Sequence, residues 1–167
     1  MGKDKSNKTR IAVYIRIGGT REYGFNYEMQ TRYFTEMVSN NPDWELAGFY
    51  ADLGTDSRKQ PNLARLMADC RAGRIDLIIT KSVARISRSI YSVMKIVREL
   101  AQLKPPVGVY FEDSQLNTLE KDNLLLLTMI EVMSLNEDGT KHSNTALTRN
   151  LKALENSKKM KGEIDDE

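Results

Sequence analysis

Four short apolar runs recur along the chain, and stretches with helical spacing separate them. "TRIAVYIRI" (9–17) is β-branched and apolar, and reads as a central strand. "WELAGFYAD" (44–52) is a second strand, following the turn signal Asn41-Pro42-Asp43. "RIDLIITK" (74–81) and "VGVYFED" (107–113) are a third and a fourth. Between the first two, Tyr27, Gln30, Phe34, Met37 and Val38 lie near one helical face, with Asn26 as the expected N-cap. A second helix starts at Pro61, gathers Leu63, Leu66, Met67 and Cys70 on one face, and ends at Gly73. Ile90, Val93, Met94, Val97 and Leu100 build a third, which Pro105-Pro106 stops. The order β-α-β-α-β-α-β predicts an α/β fold, with a mostly parallel central sheet of four to five strands flanked by helices.

The last segment has a different pattern. From about Glu120, Leu124, Leu127, Ile130 and Met133 repeat at helical spacing, and after the weak point "NEDG" the pattern resumes with Leu147, Leu151 and Leu154. A helix this long cannot bury its full length on one small domain. The expected organisation is an α/β domain over 1–119, a long C-terminal helix over 120–160, and a disordered acidic tail over 161–167.

Bulk properties narrow the function classes. At 167 residues, with 40% hydrophobic and 29% charged residues, the chain suits one soluble domain. Its net charge of +2 does not by itself advertise nucleic acid, so any DNA contact must come from local basic patches. A single cysteine, Cys70, and a single histidine, His142, argue against a disulfide and a zinc site, and the expectation is no metal and no cofactor. Cys70 reads as a buried structural thiol. The basic start "MGKDKSNKTR" lacks the apolar core of a secretory signal, and the longest apolar run, 124–130, is interrupted by Thr128. The expected setting is the cytoplasm, without a membrane.

In a parallel sheet, ligands bind beyond the carboxyl ends of the strands. The first strand delivers Arg16 there and then breaks on Gly18-Gly19. The third strand is followed by Arg85 and Arg88, which share a face if that stretch starts a helix. Three guanidinium groups together repel one another unless an anion sits among them, and their forks suit phosphate oxygens. The alternative is three solvated arginines beside a tight glycine turn.

The same residues resemble the catalytic domain of the serine recombinases, the resolvase and invertase family, and above all its larger members from conjugative transposons and phages. The resemblance runs over about 10–137. Tyr14-Ile15-Arg16-Ile17-Gly18-Gly19 is similar to the family's opening Tyr-x-Arg-Val-Ser-Thr strand, and Gln30 matches the glutamine of its first helix. "YADLGTDSRKQPNL" is similar to the family's Tyr-x-Asp-x-Gly-x-Ser-Gly…Arg-Pro segment, and "CRAGRIDLIITKSVARISRS" to its strand and Asp-Arg-Leu-x-Arg motif. The resemblance implies a metal-free phosphoryl transfer in which a serine attacks a DNA phosphodiester and forms a phosphoserine link. Arg16, Arg85 and Arg88 match the positions that hold the phosphate.

The departures carry as much information. Gly18 stands at the nucleophile's place and has no oxygen to attack with. Thr20, the nearest hydroxyl, is displaced by two residues, or roughly 6 Å of extended chain. Gln60 stands where the family has arginine before its proline, and Ala84 where many members have aspartate. The expectation is a site-specific DNA recombination protein of a mobile genetic element that is deficient in cleavage. One alternative is an active recombinase using Thr20. Another is a small phosphate- or nucleotide-binding α/β module, although the G-x-G-x-x-G spacing is missing. The resemblance further implies double-stranded DNA as partner, a homodimer or tetramer formed through the helix 120–136, and phosphate contacts from Lys141, Arg149, Lys152, Lys158, Lys159 and Lys161.

Overall fold

A computed structural model describes residues 7–18, 23–54 and 59–120, which belong, all but the last, to a unit of Met1–Leu119. Thr20, the helix expected over 120–160 with its dimer-forming part 120–136, the basic residues Lys141, Arg149, Lys152, Lys158, Lys159 and Lys161, and the acidic tail lie outside the described residues.

Among the described residues five strands form one sheet: β1 (Thr9–Ile17), β2 (Trp44–Leu53), β3 (Leu77–Thr80), β4 (Gly108–Phe111) and β5 (Leu116–Asn117). Their order across the sheet is β2-β1-β3-β4-β5. The first three pairings are parallel, and β5 returns antiparallel on β4. The helices are α1 (Tyr23–Ser39), α2 (Pro61–Arg71), the single turn α3 (Val83–Ile86) and α4 (Ile90–Ala101). The fold is therefore the expected α/β one. None of the helices is long and apolar enough to cross a membrane among the described residues.

Strand β1 organises the core because it is flanked by β2 and β3 and buried on both faces. Side chains alternate along it. Ile11, Val13, Ile15 and Ile17 pack with Phe34 and Val38 of α1 and with Leu77 and Ile79 of β3. Tyr14 and Arg16 therefore belong to the opposite face, where polar partners meet them. Helix α2 buries Leu63, Leu66, Met67 and Cys70, the face read from the sequence. It ends in a Schellman pair: Gly73 N–H donates to the Cys70 carbonyl and Arg74 N–H to the Asp69 carbonyl, both at 3.0 Å. Gly73 takes φ 73°, which explains the glycine.

Three boundaries differ from expectation. Helix α1 begins at Tyr23, so Asn26 lies inside it rather than capping it. Strand β3 is shorter than 74–81: Arg74 closes the end of α2, and Asp76 is held by Arg10 of β1. The Asp76 carboxylate accepts from the Arg10 backbone N–H, Nε and Nη2 at 2.8, 2.9 and 2.8 Å. Strand β4 stops at Phe111, where a turn with Gln115 at φ 51° reverses the chain into β5.

Candidate phosphate-binding site

The carboxyl ends of β1 and β2 meet at Arg16 and Gly54. Arg16 is only 6% exposed, although it is a charged residue at a strand end. Its Nε donates to the Gly54 carbonyl at 2.9 Å. Gly54 holds this place by φ 97°, a conformation that a side chain would strain, and its N–H donates to the Ile17 carbonyl at 2.7 Å. Arg16 Nη2 is buried and without a hydrogen-bond partner among the described residues. An unpaired buried guanidinium N–H is costly and demands an explanation.

Arg85 reaches the same place from α3. Its Nη1 donates to the Arg16 carbonyl at 3.1 Å, so one guanidinium fastens α3 to the end of β1. Arg88 is exposed. Together with Gly18, Gly54 and Ala84, the three arginines line a cleft of about 60 Å³. Among the described residues, no carboxylate lines it. A volume of about 60 Å³ is roughly twice a water molecule's share of the liquid, which suits one small oxyanion.

Arg85 and Arg88 do not share a helix face as expected. Helix α3 ends at Ile86, and Ser87 is extended at φ −161°, ψ 152°. The break follows from the next helix, where Ser89 caps α4 by accepting from the Ser92 N–H at 3.4 Å. Arg88 thus comes from an extended link, and the cleft, not a helix, gathers the pair. Gln30 lies half-buried on α1 and is not among the cleft-lining residues.

Beneath the cleft runs a buried polar network. The Asp52 carboxylate, 3% exposed, accepts from Tyr14 Oη at 3.0 Å, Asn62 N–H at 3.0 Å and Leu63 N–H at 2.9 Å. It thereby satisfies two orphan donors of the first turn of α2, whose own N-cap position, Gln60, makes no capping bond. Gln60 Nε2 donates to Tyr14 Oη at 2.9 Å and to the Ile86 carbonyl at 2.8 Å. Burial, more than its neighbours, pushes the Tyr14 phenol well above its ordinary range, so it stays protonated and donates to Asp52. Sequence reasoning gave Asp52 no role. The available signal was a carboxylate at a strand end, followed by a proline-started helix without Ser, Thr, Asp or Asn at its N-cap.

The family model described as "Resolvase, N terminal domain" matches residues 11–160. Among solved structures, the N-terminal catalytic domain of TP901-1 integrase is similar at 19% identity and a TM-score of 0.58, covering 80% of this chain and all of that one. A resolvase family site-specific recombinase from Streptococcus pneumoniae is similar at 17% identity and a TM-score of 0.60, covering 95% of this chain and all of that one. The C-terminal catalytic domain of ISC1926 TnpA, an IS607-like serine recombinase, gives 14% identity and a TM-score of 0.54, over 92% of this chain and 99% of that one. At these identities the structures show a shared fold. None of the curated proteins matches the chain. With the model matching nearly its whole length and the same sheet architecture in place, the chain belongs to the resolvase N-terminal domain family.

Proposed function

We propose that this domain takes part in site-specific DNA recombination by gripping a backbone phosphate of duplex DNA, and that it does not itself cut the strand. The observation that carries the reading is Arg16 Nη2, a buried donor with no partner among the described residues, on a side chain lining a cleft with Arg85 and Arg88. A phosphate in the cleft satisfies that donor and relieves the mutual repulsion of three cations. Gly18 lines the same cleft, at the position of the family's serine, and offers no oxygen. The arginines then supply positioning and electrostatic stabilisation without a nucleophile to use them.

The cleft volume weighs against a free nucleotide as ligand. Sites that enclose small molecules run to about 300–1,000 Å³, several times the roughly 60 Å³ here. One phosphate of a polymer fits better. Self-association through 120–136 and phosphate contacts from Lys141, Arg149, Lys152, Lys158 and Lys159 belong to the same proposal.

The test is a nicked suicide duplex incubated with the chain and resolved on a denaturing gel. Duplex binding without a covalent protein–DNA adduct is the expected result. An adduct overturns the cleavage-deficient reading, and its loss in Thr20→Ala would assign the nucleophile to Thr20.

A further inference from the structure

Gln60 occupies an unusual position between the cleft and its support. Its single amide nitrogen has two hydrogens, and both are used: one on Tyr14 Oη of β1 and one on the Ile86 carbonyl, the last residue of α3. Ile86 lies between Arg85 and Arg88 in sequence and is buried. Its carbonyl is an orphan acceptor of a one-turn helix, which has too few residues to satisfy its own end. Immediately after it, the chain turns extended at Ser87 and delivers Arg88. The direction of that arm therefore depends on how the Ile86 peptide is held.

We infer that Gln60 is a positioning residue, which locks the Ile86 carbonyl and so holds Arg85 and Arg88 in place at the phosphate cleft. Gln60 itself is not among the cleft-lining residues, so it acts through α3 rather than on the ligand. Two features fit an amide here. It supplies two N–H donors from one atom, which carboxylate, hydroxyl and aliphatic side chains cannot do. It also adds no charge between the buried Asp52 carboxylate and three guanidinium groups. Through Tyr14 and Asp52 the same amide is tied to the first turn of α2, so β1, α2 and α3 share one polar brace. Arg85 Nη1 on the Arg16 carbonyl is the second tie on α3, and the two ties flank a single peptide unit.

This inference rests on the cleft being a phosphate site, and one titration separates the two. The isotope-labelled full chain is titrated with inorganic phosphate, and NMR follows the Nε–H resonances of Arg16, Arg85 and Arg88 with the Gln60 side-chain amide. In the wild type, all three arginines shift together and the Gln60 amide pair shifts in step with Arg85 and Arg88. Gln60→Leu and Gln60→Glu, which remove the donors, weaken phosphate binding about tenfold. They also uncouple Arg85 and Arg88 from Arg16, whose shift persists. A merely structural role would lower the melting temperature and leave the three arginines shifting as one, which overturns the inference. A Gln60 amide pair that ignores phosphate in the wild type also overturns it, without any substitution. No response from any arginine in the wild type overturns the phosphate reading itself.

Discussion

Arg85 donates a hydrogen bond from Nη1 to the main-chain carbonyl of Arg16, 69 residues earlier, at 3.1 Å. One of the three cleft arginines thus holds the backbone of another, and the cleft is fixed by its own phosphate-binding groups. This separates the charge of Arg85 from its shape. Arg85→Ala should weaken duplex binding about tenfold and lower the slope of log affinity against log salt by about 0.9, the value for one phosphate contact. Arg85→Lys keeps the charge but lacks the planar fork that reaches a carbonyl and a phosphate together. It should keep most of the salt slope and lose most of the affinity. Fluorescence anisotropy with a labelled duplex across a salt series reads both. Wild-type affinity in the lysine variant would remove any role for the bond to Arg16.

Gly18→Ser returns a hydroxyl to the cleft, yet the cleft differs from the family pattern elsewhere. Gln60 is held by Tyr14 and Ile86 and does not line it. Loss of one preorganised donor to developing charge costs about 10²–10³ in rate. Gly18→Ser alone should therefore yield only trace adduct on a nicked duplex. The combination with Gln60→Arg, which still has N–H groups for the Ile86 carbonyl, should raise the rate about a hundredfold. Equal yields on a denaturing gel would show that position 60 supplies nothing to the chemistry.

Asp52 is buried because it accepts three hydrogen bonds, two of them from the first turn of α2. Asp52→Ala leaves the Asn62 and Leu63 N–H groups and Tyr14 Oη without that acceptor. The cost should be about 3 kcal/mol, seen as a fall in Tm of roughly 10 °C by calorimetry. Asp52→Asn keeps one acceptor oxygen and should lose about half as much. If the alanine variant melts with the wild type, the carboxylate is not the cap of α2.

The fold was more legible than the site for a physical reason. Strand β1 was read with its observed bounds and the buried face of α2 residue by residue, because period-two and helical apolar patterns are local properties. The place of Arg16 at the carboxyl end of a central strand is legible for the same reason. The cleft was only half legible. Arg85 and Arg88 are gathered by an extended Ser87, and α2 is capped by a carboxylate from the neighbouring strand. Both facts depend on which residues the sheet brings together. The two-residue β5 carries too few side chains for a period to show.

At the opposite end of the sheet, hydrogen bonding from Arg10 holds the Asp76 carboxyl below the usual carboxylate range. A depressed carboxyl stabilises the folded chain above its unfolded value near pH 3.9, and that contribution fades as pH falls through the lower folded value. Both side chains are partly exposed, so the contribution at pH 7 is at most about 1 kcal/mol. Asp76→Asn should therefore be slightly less stable than wild type at pH 7, and the gap should narrow progressively as pH falls below the unfolded value. Urea denaturation at a series of pH values measures the gap. A constant gap across that range would show that the Asp76 carboxyl does not titrate differently in the two states.

Cys70 lies on the buried face of α2 and is 2% exposed. Burial pushes its thiol up to about 12, and the nearby Asp69 carboxylate adds to the effect. At pH 8 the folded protein therefore holds almost no thiolate, which is the form that reacts. A disulfide-exchange reagent should label native Cys70 very slowly and the urea-unfolded chain at once. Since α2 is anchored at its start by Asp52, the native labelling rate should report how often that anchorage opens. Asp52→Ala should then speed labelling in proportion to its loss of stability, roughly a hundredfold for about 3 kcal/mol. Equal labelling rates in wild type and Asp52→Ala would place the opening that exposes Cys70 somewhere other than the start of α2.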